Sequence, residues 1–414
     1  GFQPLNIEPL IYVLIFLALF AGCQGGRYFM SNRLQELGIA SALGLMLVGG
    51  WRGLFQLDMA TLKDWLFKPI YLILGIMGVS SLAFYFNYDG NPLYSFFSAR
   101  EFLLAFIGPG IYLLCRTGLP VATVEKTLRY ALIALMLNYL FFYFTLDLKA
   151  AFFSSDHTVS NLVTYDEWRG FRLKPPLFAI MVILMAALVG LGQSRNFFAW
   201  VISLSVLSIA IYIWSIVMFR ATLATMALSI LLYPVFFSSR NRVPLMLVLC
   251  PLAILLFPFI FQLMLDVFLG SDGGTIRSRA FALAFEHIPR HFLFGAGEDN
   301  AYGATYQDIV TPYFYPDDIG LVGTLYKYGA VGAFLYLFMH FKIWRRLWSA
   351  NMHYLEVQGH INPLLWGIFM WLTALAFNLV LNPGLAYAQG ITLASTGFAL
   401  ASLHCRGMAS ASSA

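Results

Sequence analysis

A chain of 414 residues that is 60% hydrophobic and only 11% charged is not a soluble globular protein, since soluble domains average about 25% charged residues. Its formal net charge of +5 at pH 7 reflects the orientation of membrane loops and gives no sign of a nucleic-acid partner. What remains is an all-α polytopic membrane protein, in which 39 Phe and 22 Tyr supply interfacial belts and surfaces for sugars to stack on. Cys23, Cys115, Cys250 and Cys405 lack CxxC or metal-ligand spacing, so neither a disulfide framework nor a zinc site is expected.

A bilayer core takes roughly 20 apolar residues per helix. Runs of this kind lie near 8–25, 34–50, 68–86, 100–115, 127–146, 176–192, 197–217, 220–237, 244–265, 319–341, 363–382 and 386–404, about twelve in all. The second and fourth are short, which predicts tilted or partly re-entrant segments. "SSRNRVP" (238–244) and "KIWRR" (342–346) place the basic short loops, and with them both termini, on the cytoplasmic side. The long loops 147–175 and 266–318 then face outward, the second containing short amphipathic helices. Residues 1–406 read as a single transmembrane domain, and "GMASASSA" (407–414) reads as a flexible tail or expression scar. With no soluble domain, chemistry is expected in the outward loops.

The first of those loops ends "YDEWRGFRLKPPLFA" (165–179), where Arg169 and Arg172 would share a face on a helical turn. An interfacial anchor is the plainer reading. In "IVMFRATLATMALSILL" (216–232), Arg220 stands between two spans with almost no loop. An arginine at membrane depth costs about 2.5–3.5 kcal/mol on insertion scales, so it snorkels to the surface or faces a cavity and a partner. In "GSDGGTIRSRAFALAFEHIPRHFLFGAGEDN" (270–300) a helix is expected over about 276–288, ended by Pro289. Arg277 and Arg279 would occupy its first turn, where the helix dipole attracts anions, with Glu286 on the face of Arg279. The "FGAGEDN" turn is a lone GxG and means little by itself, and His157, His287 and His291 read as polar loop residues.

The stretch "YFYPDDIGLVGTLYKYGAVG" (313–332) places Asp317 and Asp318 at the head of an apolar segment. They are either a functional pair or a solvated helix N-terminus. Gly320, Gly323, Gly329 and Gly332 read as positions for close helix packing. Collected in one outward cavity, the arginines suit a diphosphate, because guanidinium forks bind phosphate oxygens in pairs and need no metal. No cofactor is implied, and "PDD" is too short to hold a divalent ion unaided.

Together these pieces resemble the O-antigen polymerase and ligase superfamily of membrane glycosyltransferases. The resemblance rests on "WRGFRLKPPLFA", "MFRATLATMAL", "RSRAFALAFEHIPRHFLFGAGEDN" and "DDIGLVGTLYKYGAVGAFLYLF", in that order along most of the chain. It implies a GT-C-like fold in the bacterial inner membrane, with the active site facing the periplasm. Its substrates would be undecaprenyl-diphosphate-linked glycans, donor and acceptor, and a chain-length regulator is a further partner it allows. It implies a metal-independent, inverting transfer in which Arg169, Arg172, Arg220, Arg277 and Arg279 bind the diphosphate. Asp318 would be the base, with Asp317 and Glu286 next in order. Ligases of the superfamily carry a histidine eleven residues before the first glycine of the closing Gly-x-x-Gly; counting back from Gly329 reaches Asp318. An aspartate there resembles the polymerase branch. A ligase acting on lipid A core is the nearer alternative, and a flippase for lipid-linked oligosaccharides is the alternative of another class.

Overall fold

Lipid offers no hydrogen-bond partners, so an apolar run must close its backbone bonds within itself, and helices are the way one segment can do so. The computed structural model of the chain follows that rule and describes residues 8–29, 32–166, 170–194, 196–217, 272–299, 305–312, 314–379, 382 and 384–407. Helices α1 (Glu8–Gly22), α2 (Asn32–Gln56) and α3 (Met59–Tyr88) come first. The fourth segment is broken into α4 (Pro92–Ser98), a 3₁₀ stretch (Ala99–Phe106) and α5 (Ile107–Arg116), in keeping with the irregular segment expected there. Then follow α6 (Val121–Thr145), the short α7 (Leu148–Phe152) and α8 (His157–Ser160), α9 (Leu177–Gln193) and α10 (Phe197–Val217). The 266–318 segment contributes α11 (Asp272–His287) and α12 (Tyr306–Ile309), before α13 (Gly320–Gln358), α14 (Pro363–Phe377) and α15 (Ala388–Gly407).

Among the described residues, six helical segments are long and apolar enough to cross a membrane: Glu36–Gln56, Met59–Tyr88, Pro92–Arg116, Val121–Thr145, Phe197–Val217 and Pro316–Gln358. Glu8–Gly22, Leu177–Gln193 and Pro363–Phe377 are apolar but shorter. The chain is therefore a helical membrane protein. The spans expected at 220–237 and 244–265 lie outside the described residues.

The core runs from α1 and α2 through α5 to α15, and from α9 to α14, with Trp366, Trp371, Tyr112 and Tyr28 fully buried. Trp65 of α3 stacks on Tyr112 at 3.8 Å between ring centroids. At one end of α15 the buried Glu125 accepts from His404 Nε2 at 2.7 Å and from Asn362 Nδ2 at 2.9 Å. That carboxylate joins α6, α14 and α15, and the functional cluster lies at the other end of α15.

Two local expectations are corrected. Arg172 does not sit on a helical turn. Val163–Asp166 (β1) and Gly170–Leu173 (β2) form an antiparallel hairpin in the register Thr164↔Arg172 and Tyr165↔Phe171. Aromatic and β-branched side chains favour the pleated surface; the Tyr165 and Phe171 rings lie 4.7 Å apart, and Gly170 takes the left-handed turn position at φ +67°. Helix α11 begins at Asp272, so Arg277 and Arg279 fall beyond its first turn, where the dipole no longer favours an anion.

Candidate functional site

The site is created by a break in a helix. Within α13, Gly329 adopts φ 69° and ψ −173°, which frees backbone groups of the flanking turns. The turn after α11 fills that gap. Ala296 N–H donates to the Tyr326 carbonyl at 2.7 Å and Gly297 N–H to the Lys327 carbonyl at 2.9 Å. In return, Ala330 N–H donates to the Phe292 carbonyl at 2.7 Å. The two strands of chain cross at glycines. A Cβ on Gly295 would lie 2.3 Å from the Lys327 carbonyl oxygen, and one on Gly329 would lie 2.3 Å from that of Leu293. Gly329 thus admits a loop into a helix, and the reading of it as a helix-packing glycine is corrected. Gly329→Ala should lower the thermal midpoint in detergent, because that backbone region costs a non-glycine residue about 1–3 kcal/mol before the clash is counted. An unchanged midpoint would mean that the crossing is not a stable part of the fold.

The crossing delivers Glu298 to Lys327. The lysine side chain is 7% exposed, and its Nζ lies 2.7 Å from Glu298 Oε1 and 3.2 Å from Asp317 Oδ1. The Tyr328 hydroxyl donates to the other Glu298 oxygen. Asp317 belongs to a 3₁₀ turn, Pro316–Ile319, whose proline sits at the first position. The Tyr387 hydroxyl donates to the Asp317 carbonyl at 2.8 Å and fastens that turn to the start of α15. Burial holds the Glu298 carboxyl above the usual range; Lys327 opposes the rise and Asp317 adds to it.

A cavity of about 100 Å³ opens against this cluster, lined by Ser98, Ala99, Glu101, Phe102, Glu298, Asp317, Lys327, Tyr328, Ala386 and Tyr387. Glu101 comes from the 3₁₀ part of the broken fourth segment, so two interrupted segments meet at one cavity. Neighbouring Arg100 pairs with Glu36, Nε to Oε1 at 2.9 Å, and its charge also acts on Glu101.

Cations flank the other side of the aspartate pair. Lys174, just after β2, bonds Asn161 Oδ1 at 2.7 Å. Its ammonium is pushed down to about 8, first by burial and then by the Arg27 charge, while Asp318 opposes the fall. Arg27 in turn donates to Gln24 at 2.9 Å. Tyr387 lies in the field of Asp317, Asp318, Lys327 and Arg277, and the Arg277 charge also acts on Asp318.

The expected site residues therefore separate. Asp318 is exposed and faces the cations, whereas Asp317 is engaged by Lys327. The Arg277 charge acts on Asp318, but Arg279 and Glu286 are exposed on α11, and neither lines the cavity. Arg172 is buried and donates from Nη1 to the Val217 carbonyl at 3.2 Å, tying the hairpin to α10. Arg169 and Arg220 lie outside the described residues. Glu298, Lys327 and Glu101 were missed by sequence reasoning. Lys327 did carry a signal: an ionisable residue inside an apolar span is a functional candidate by its cost alone. Glu298 carried none beyond an isolated Gly-x-Gly. The chain matches no protein-family model and no curated protein, and the residues of this site carry the functional reading by themselves.

Proposed function

We propose that the chain is a bacterial inner-membrane glycosyltransferase that joins undecaprenyl-diphosphate-linked repeat units at the periplasmic face. One observation carries this reading: Asp317 lines an acceptor-rich cavity, while its neighbour Asp318 lies in the field of the Arg277 and Lys174 cations. Transfer of a glycan from a lipid diphosphate to a sugar hydroxyl needs those two environments side by side. The acceptor hydroxyl oxygen forms a bond to the donor's anomeric carbon as the bond to the diphosphate oxygen breaks, which inverts that centre. Asp318 takes the hydroxyl proton. Lys174, Arg277 and Arg27 neutralise the charge that develops on the departing diphosphate. Asp317 is held by Lys327 and fixes the turn that presents Asp318. The reading also includes twelve spans in a GT-C-like arrangement, with the loops 147–175 and 266–318 outward.

A second reading, transport of the same lipid-linked units, has an observation of its own. Lys327 precedes Lys342 by fifteen residues, about 22 Å of helix at 1.5 Å per residue, so in a core of roughly 30 Å its ion cluster lies inside the membrane, toward the outer face. Broken helices that bring charge inside the membrane are common in transporters. Purified protein supplied with labelled lipid-linked repeats separates the possibilities. Longer glycans formed without any gradient support the polymerase, relocation of label without elongation supports transport, and transfer only when lipid A core is added supports a ligase.

The Lys174 ammonium makes a pH dependence measurable. Its charged form attracts the donor diphosphate, and that form is lost as pH rises through about 8. Donor affinity should therefore weaken between pH 7 and 9, with a bound anion moving the midpoint upward. Lys174→Arg keeps its charge throughout and should flatten the profile. An identical pH profile in the two proteins would remove Lys174 from the anion site.

A further inference from the structure

The donors around the cavity are already committed. Lys327 gives its ammonium to Glu298 and Asp317, the Tyr328 hydroxyl donates to Glu298, and the Tyr387 hydroxyl donates to the Asp317 carbonyl. The acceptors keep capacity in hand. A carboxylate offers about four lone-pair positions, and the Asp317 side chain remains 49% exposed. The wall is thus rich in acceptors and poor in donors: three carboxylates, including Glu101, line it against one ammonium, and the Arg100 and Arg27 charges that act on Glu101 are not part of the lining.

The complement of such a wall presents O–H or N–H groups and carries no negative charge. A carboxylate brought against it would meet like charges and find no donor, which is costly in a half-enclosed site. Beside the acceptors, Phe102 and Tyr328 meet edge to face, with centroids 6.0 Å apart and planes at 88°. They add an apolar surface to a polar one, which suits a ring that carries hydroxyls on its rim and C–H groups on its faces. The volume of about 100 Å³ is small beside the roughly 300–1,000 Å³ that encloses a whole drug-sized ligand, so one residue enters, or part of one. Resting on the glycosyl-transfer reading, we infer that this cavity receives a neutral or amino sugar residue of the acceptor and turns away sugars that carry a carboxylate.

The test is a binding measurement on the full chain in detergent, which needs no turnover. Saturation-transfer NMR at pH 7 is run with methyl glycosides of glucose, galactose, mannose, their 2-amino derivatives and their uronic acids. At least one neutral or amino glycoside should bind at least tenfold more tightly than the matching uronate. Glu101→Gln replaces a carboxyl with an amide that can donate, at nearly constant shape, so it should narrow that ratio; Phe102→Ala should weaken the neutral glycoside without changing its preference over the uronate. Thermal unfolding checks that each variant is folded, and the wild-type comparison stands even if one is not. Equal binding of uronates and neutral sugars, or binding of none of the panel, overturns the inference. So does displacement of the glycoside by millimolar calcium at constant ionic strength, which would assign the cavity to a cation. If neutral glycosides bind selectively and elongation of lipid-linked repeats is absent, the cavity assignment stands and the polymerase reading falls. If elongation occurs and uronates bind equally well, the opposite holds.

Discussion

Asp318→Asn should reduce glycan elongation by about 10²–10⁴-fold, the usual worth of a positioned general base, while lipid-donor binding stays near that of the unaltered protein. The substitution keeps size and hydrogen bonding and removes the proton acceptor. Donor binding is compared at pH 6, because losing the Asp318 charge lowers the Lys174 ammonium further; there the cations proposed to hold the diphosphate, Lys174, Arg277 and Arg27, all keep their charge. Asp317→Asn should behave differently. Its carboxylate is spent on Lys327 at 3.2 Å, so elongation should fall less and the thermal midpoint should fall more. Turnover, donor binding and midpoint measured on the two single variants decide the matter. A larger loss of turnover at 317 would transfer the base role to that residue. Small, equal losses would move the proton acceptor to another carboxylate. Loss of donor binding at 318 would make it an organiser of the cations.

Lys327→Met should be the most destabilising single change in the site. Removing one member of a buried ion pair leaves the other charge uncompensated and costs about 3–5 kcal/mol. Here the lysine answers two carboxylates, Glu298 and Asp317. The deficit should depend on pH in a definite direction. Burial already raises the Glu298 carboxyl above its unfolded value, and Lys327 restrains that rise. Without the lysine the folded value climbs further. A raised carboxyl contributes its stability fully below the unfolded value, about 4.3 for glutamate, and loses it as pH rises through the folded value. The variant should therefore be weakest near neutral pH and should recover toward pH 5, as Glu298 takes up a proton. Adding Glu298→Gln removes one of the stranded charges and should restore part of the midpoint at pH 7. A deficit that is constant from pH 5 to 8 and is not relieved by Glu298→Gln would show that the cluster contributes through packing, and that its charges are not coupled.

What the amino-acid sequence determined by itself is the helical membrane character of the chain and the position of its aspartate pair. Both are local properties. An apolar run closes its own backbone bonds in lipid whatever its neighbours do, and Pro316 confines Asp317 and Asp318 to the turn before α13. Run length did not settle regularity: the fourth segment is broken, while the second, also short in apolar residues and expected to be irregular, is an unbroken 25-residue helix. What only the tertiary structure decided is which charges meet. Lys327 and Glu298 are 29 residues apart and come together because a loop threads the break at Gly329. No periodicity encodes that crossing: one glycine at a break and one in a turn look like any other pair until each is pressed against the backbone of the other segment. Arg172 shows the same limit from the opposite side. Its spacing from Arg169 fits a helical face, but the hairpin turns it inward to a carbonyl 45 residues away, at the end of α10. Helices follow from the run of residues along the chain. The site arises where segments remote in sequence satisfy one another's unpaired backbone groups and charges, and that is settled only when the chain has packed.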